Sequence, residues 1–197
     1  MRFIGFYNYT VILTYLSLIS SLIGIKLSFD GNFFWAMFCL ALSGICDMFD
    51  GVVARTKKNR TPDQKNFGIQ LDSLCDVVCF GVFPAVFLYF NGVNSIFGIA
   101  LLVWLVLCAV IRLAFFNVLE IKRQQTEGGV TKSYHGLPVT ASAIIFPLTF
   151  LLHYIVPEHA MVIIYHVLAA VVPFLFILDI SVPKLCVDKL FSKKKKL

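Results

Sequence analysis

Charge is scarce in this sequence: only 14% of its 197 residues are Asp, Glu, Lys or Arg, against about 25% in an ordinary soluble domain. Apolar residues make up 59% and aromatics 15%, led by 20 Phe, and the mean hydropathy is +0.85. A soluble domain of this size has too little interior to hide so much apolar side chain. A soluble globular enzyme and a disordered chain are therefore both excluded. Strand-like alternation is also missing, because the apolar runs are apolar on every face, which excludes a closed β-barrel. No internal repeat is visible, and the only low-complexity segment is the run Lys193 to Lys196. No small-residue cleavage site follows the first apolar run, so that run is read as a span and not as a signal peptide. The six cysteines (Cys39, Cys46, Cys75, Cys79, Cys108 and Cys186) mostly sit inside apolar runs. There they behave as small hydrophobes, and no disulfide framework is expected.

What the sequence does have is regular apolar runs: Asn8 to Ile25, Asn32 to Phe49, Gly68 to Phe90, Ser95 to Asn117, Leu137 to Val156, and His159 to Ile180. Each approaches the ~20 residues a helix needs to cross hydrocarbon. Pro84, Pro147 and Pro173 fall within runs, which membrane helices tolerate because neighbours satisfy the freed backbone. The expected fold is all-α, a polytopic membrane bundle of about six transmembrane helices, forming a single domain over residues 1–197. The net charge of +6 flanks the apolar runs and forms no stripe with interleaved aromatics. It therefore points to an anionic membrane surface, and no nucleic-acid partner is expected. Arg55, Lys57, Lys58, Arg60 and Lys65 follow the second run; Lys122, Arg123 and Lys132 follow the fourth, with Arg112 near its end; Lys184, Lys189 and the lysine tail follow the sixth. The other side holds only Lys26. By the positive-inside rule both termini and both long loops are expected in the cytoplasm, with Asn91–Asn94 and Pro157–Glu158 outside. The tail is expected to rest near anionic lipid.

Four acids interrupt this pattern: Asp47, Asp50, Asp72 and Asp76. Asp at the centre of a membrane helix costs about 2.5–3.5 kcal/mol, giving an upper sum of roughly 10–14 kcal/mol. Asp47 and Asp50 are three apart and Asp72 and Asp76 four apart, so each pair shares a helix face. A short basic loop lets the two helices pack as an antiparallel hairpin and brings the pairs together. Converging carboxylates repel unless cations neutralise them. All-oxygen ligands suit Mg²⁺ or Mn²⁺, and two ions would fit shared carboxylates. Two other readings stand beside this one: helix-end acids paired with nearby Lys and Arg, and a softer thiolate site using Cys46, Cys75 and Cys79. Gly51, Ala54 and Gly68 lie on the acid-bearing faces and leave room for a flat group, though small residues there also suit close helix packing. Arg55 is a candidate phosphate ligand.

The stretch DMFDGVVAR followed by GIQLDSLCD resembles the signature D-x-x-D-G-x-x-A-R … G-x-x-x-D-x-x-x-D of the CDP-alcohol phosphatidyltransferases. Asp47, Asp50, Gly51, Ala54, Arg55, Gly68, Asp72 and Asp76 fill every fixed position. The stretch Thr56 to Phe67 is longer than the family's usual spacing, in a polar loop where insertions cost little. FGIQLDSLCDVVCFGVFPA, RLAFFNV and YHGLPVTASA are similar to the phosphatidylserine synthases of that superfamily. The resemblance covers about Asp47 to Pro147. It implies that the phosphatidyl group of CDP-diacylglycerol passes to the hydroxyl of L-serine, releasing CMP, at the cytoplasmic face of the cell membrane. It implies that Asp47, Asp50 and Asp72 are metal ligands, and that Asp76 is the general base and shares a metal. Asp50, Gly51, Ala54, Arg55 and Gly68 would line the CDP site, and the enzyme would be a homodimer among membrane lipids.

Arg112, deep in an apolar run, is costly unless paired. It is a candidate for the lipid phosphate or the serine carboxylate, and equally for a structural pair with one of the Asp residues. Asn117, Lys132 and Tyr134 are further candidates for the acceptor pocket, while His135 reads equally well as a loop residue. Other acceptors (glycerol 3-phosphate, an inositol compound) or an archaeal-type lipid donor would use the same chemistry. An ion-coupled transporter is the reading from another class, disfavoured by the clustering of the acids near one surface and the lack of inverted repeats. A phosphohistidine route lacks its motif, since no His has Lys two positions later.

Overall fold

Every long apolar run becomes helix, because in lipid the backbone must bond to itself. The structure is a computed structural model that describes residues 5–6, 9–57, 59–125, 133–179 and 181–183; within these, the side chains of residues 55, 123–125, 133–135 and 181–183 are not described. Helix α1 (Ile12–Phe29) follows a 3-10 turn and packs along α2 (Phe33–Thr56). Their connection is a tight reversal. The Asn32 amide donates to the Leu27 carbonyl at 2.9 Å and the Gly31 amide to the Ser28 carbonyl at 3.2 Å. This paired closure needs a left-handed residue, and Gly31 provides it at φ +76°.

The third rod begins at Pro62, where the Thr61 hydroxyl caps the Gln64 amide at 3.2 Å. It runs as α3 (Pro62–Asp76), a π-helical stretch (Val77–Val82) and α4 (Phe83–Phe90). The wide turns lie just ahead of Pro84, which lacks an amide hydrogen and whose ring crowds the carbonyl four residues back. The Phe83 amide accordingly bonds to the Val78 carbonyl, five residues back. Helix α5 (Ile96–Gln125) has 30 residues, so at the α-helical rise of 1.5 Å per residue it is about 45 Å long and outreaches the hydrocarbon core. A three-residue ribbon, β1 (Ser133–His135) with β2 (Ser181–Pro183), pairs antiparallel. Helix α6 (Ser142–Phe150) lies between two 3-10 turns, and α7 (Glu158–Ile177) packs against α5.

Among the described residues, five helices are long and apolar enough to cross a membrane: Tyr9–Phe29, Phe33–Ala54, Pro62–Phe90, Ile96–Lys122 and Glu158–Ile177. The run expected at Leu137 to Val156 forms a shorter apolar helix, Val139–Tyr154, with Pro147 inside it. Helix α6 sits tightly on α2, since a Cβ built at Gly44 would lie 2.4 Å from the Ala143 Cβ.

Polar side chains are buried within the apolar core of the bundle. Phe80, Phe83, Phe87, Phe146, Tyr165 and Phe176 fill the centre, but Ser17, Ser20, Ser21, Ser43, Asp50, Asp76, Arg112 and Asn117 are buried with them. Ile12, Ile19, Ile23, Trp35, Phe38, Ile45, Val103, Ile111, Ile163 and Phe174 face outward. Such an apolar exterior is stable against lipid and would aggregate in water. The buried hydroxyls bridge α1 to α2: Ser17 and Ser43 lie 2.6 Å apart, Ser21 donates to Ser43 at 2.9 Å, and Ser20 to the Cys39 carbonyl at 2.9 Å.

Candidate metal and nucleotide site

The C-terminal half of α2 carries Asp47 and Asp50, and α3 brings Asp72 and Asp76 against them. One carboxylate oxygen each from Asp47, Asp50 and Asp72 lies within 4.8 Å of the others. Asp50 and Asp72 are within hydrogen-bonding reach of each other, as are Asp47 and Asp76. Asp76 stands outside the group of three, one turn further into the span, and is only 7% exposed. Among the described residues no sulfur joins the group, and Cys46, Cys75 and Cys79 are free thiols.

A salt bridge, Lys26–Asp30, lies at the turn between α1 and α2, away from these four acids. Repulsion at this range, with little water to screen it, calls for a cation. One buried atom points the same way: Asp72 Oδ1 has no hydrogen-bond partner. A hard divalent cation fits this donor set of carboxylate oxygens.

A further participant comes from α1. Thr14, 6% exposed, donates its hydroxyl to Asp50 Oδ2 at 3.1 Å. The signal was present as a stripe of hydroxyl residues at helical spacing, Thr14, Ser17 and Ser21, facing α2.

Towards the loop end of the cluster the helices are bare. A Cβ built at Gly51 would meet nothing within 4 Å, so close helix packing does not explain this glycine. Ala54, three residues on, continues the open face, and Gly68 lies one turn before Asp72. Arg60, in the connection between α2 and α3, crosses this opening. It donates from Nη2 to the Gln64 carbonyl at 3.2 Å and from Nη1, at the distance limit of 3.5 Å, to the Ala54 carbonyl. Arg55 is in α2, but its side chain lies outside the described residues.

The acceptor candidates separate. Asn117, 8% exposed, is engaged by α3: its Oδ1 accepts from Ser73 at 2.7 Å and its amide donates to Gln70 at 3.3 Å. This joins α5 to α3 beside the carboxylates. Arg112, 6% exposed, lines a cavity of about 250 Å³ with Phe115, Phe176, Leu178 and Asp179. Gly136 closes on the same region, because a Cβ there would lie 2.8 Å from the Leu178 carbonyl oxygen and 3.6 Å from Arg112 Nε. Lys132 and the side chains of Tyr134 and His135 lie outside the described residues, as do Lys184, Lys189 and the lysine tail.

Fold and site together define an integral membrane helical protein with a buried carboxylate cluster suited to a hard cation. The chain belongs to the CDP-alcohol phosphatidyltransferase family, whose profile matches residues 7–176. It is 37% identical to an archaetidylserine synthase of Methanothermobacter thermautotrophicus, over 68% of this chain and 53% of that one. It is 35% identical to a CDP-diacylglycerol–serine O-phosphatidyltransferase of Methanocaldococcus jannaschii, over 67% of this chain and 55% of that one. A Saccharomyces cerevisiae protein of the same name is 40% identical, over 50% and 35%. The chain spans about half the length of the first two relatives.

Proposed function

We propose that this protein transfers the phosphatidyl group of CDP-diacylglycerol to the hydroxyl of L-serine, yielding phosphatidylserine and CMP. The carrying observation is the carboxylate cluster between α2 and α3, built from the family's full signature. The acceptor follows from the relatives, whose names specify serine as the acceptor or serine in the product.

Asp47, Asp50 and Asp72 would hold a divalent cation, Mg²⁺ or Mn²⁺, and Asp76 would share a second ion. The bound ions would neutralise the pyrophosphate and stabilise the departing CMP oxygen. Gly51, Ala54 and Gly68 leave the helix faces open for the nucleotide, and Arg55 meets its phosphate. Asp76 takes the proton of the serine hydroxyl as that oxygen attacks the lipid-side phosphorus. Arg112 holds the lipid phosphate or the serine carboxylate, with Asn117, Lys132 and Tyr134 lining the acceptor side. The lipid tails stay in the bilayer. The chain forms one domain of six spans, with both termini and the site at the cytoplasmic face, and works as a homodimer.

A second reading changes only the donor. The archaetidylserine synthase among the relatives favours testing a CDP-activated ether lipid beside CDP-diacylglycerol. Purified protein incubated with each donor and radiolabelled serine, glycerol 3-phosphate or inositol decides among these. Serine should give labelled phospholipid and CMP together; a transporter would release no CMP.

A further inference from the structure

The longer connection between α2 and α3 supplies a side chain that the family signature does not contain. Arg60 turns inward over the open end of the site. A Cβ built at Gly68 would lie 2.6 Å from Arg60 Nη2, so the guanidinium rests on the bare face of α3. Its Nη groups reach the Ala54 carbonyl of α2 and the Gln64 carbonyl of α3. Its Nε is buried and has no hydrogen-bond partner among the described residues. Ala54 is four residues after Asp50, and Gly68 four before Asp72. At the helical rise the guanidinium therefore sits about 6 Å along the axes from the carboxylate cluster.

We propose that Arg60 is a phosphate-binding residue for the nucleoside diphosphate part of the donor. This rests on the donor reading given above. A nucleoside diphosphate in this opening would lie between acids that hold cations and a cation fixed on the chain. The guanidinium has the forked donors that phosphate oxygens accept. Neutral carbonyls are weaker partners than phosphate, and the unpartnered Nε leaves a donor for a ligand. A side chain at Gly68 would push this guanidinium aside.

The test is CDP binding by the full chain in zwitterionic micelles with Mn²⁺, measured by calorimetry, with cytidine as the phosphate-free control. Arg60→Ala and Arg60→Gln should each weaken CDP binding by about 10–100-fold. Arg60→Lys should recover much of it, and cytidine should bind all forms alike. Gln keeps a neutral amide donor but lacks the charged fork. If Arg60→Gln binds CDP like wild type while Arg60→Ala does not, Arg60 is only a strap for the loop and the proposal fails. Equal CDP binding by all forms overturns it as well. Phosphatidylglycerol that displaces CDP from wild type, but not from Arg60→Gln, would assign the side chain to lipid headgroups instead. A wild-type chain that binds no CDP overturns the donor reading itself. Far-UV circular dichroism identifies a variant that fails to fold, and the Lys and Gln forms then carry the comparison.

Discussion

Replacing Thr14 by Val removes one oxygen and almost no volume, which isolates the hydrogen bond to Asp50. That bond is 3.1 Å long and joins two side chains that are 6% and 9% exposed, so water has little access to replace it. A hydrogen bond to a charged group contributes about 1.5–3 kcal/mol. Partners that orient metal ligands typically change affinity or activity by about 10–100-fold. Thr14→Val should therefore raise the Mn²⁺ concentration that half-saturates binding by about 10–100-fold, while Thr14→Ser restores most of the affinity. The assay is Mn²⁺ titration of purified protein, with free ion followed by electron paramagnetic resonance. Thermal unfolding without metal checks that the bundle is intact. If Thr14→Val titrates like wild type, Asp50 does not depend on α1 for its orientation, and the reasoning fails.

Asp76→Asn keeps the shape of the side chain and removes its basicity, so turnover with serine should fall by about 10²–10⁴-fold. CDP binding should weaken far less; near-normal turnover would remove Asp76 from the role of base. Gly44→Ala should lower the thermal midpoint, although Ala is about 1 kcal/mol the better helix former, because its Cβ would lie 2.4 Å from that of Ala143. Gly51→Ala, whose Cβ meets nothing within 4 Å, should leave the midpoint intact; a Gly44→Ala protein as stable as Gly51→Ala would refute the α2–α6 contact. A cysteine at Asn59 should react with a membrane-impermeant maleimide only after cells are opened, and labelling of intact cells would reverse the proposed orientation.

The long helices were legible because a membrane span announces itself by composition, and the acids because charge inside such a run is expensive. Their meeting was legible from spacing: Asp47 with Asp50 and Asp72 with Asp76 share faces whatever the tertiary detail. Three features were not. Thr14 belongs to a stripe of hydroxyl residues, but the acid it meets is set only when α1 docks on α2, since that partner is 36 residues away. The π-helical stretch after Asp76 depends on how the rod absorbs Pro84, and periodicity of 3.6 carries no sign of it. The position of Arg60 depends on the path of a polar loop, where sequence constrains conformation least. The segment around Pro147 shows a different limit: hydropathy gave a run from Leu137 to Val156, but the backbone divides it into a nine-residue α-helix between two 3-10 turns.

The most direct test of the central claim is phospholipid synthesis by purified protein given CDP-diacylglycerol, radiolabelled serine and Mn²⁺. The account predicts phosphatidylserine and CMP in equal amounts, with none formed after chelation or by Asp47→Asn and Asp72→Asn. Full activity in chelator, or acceptors such as glycerol 3-phosphate or inositol outcompeting serine, would contradict it.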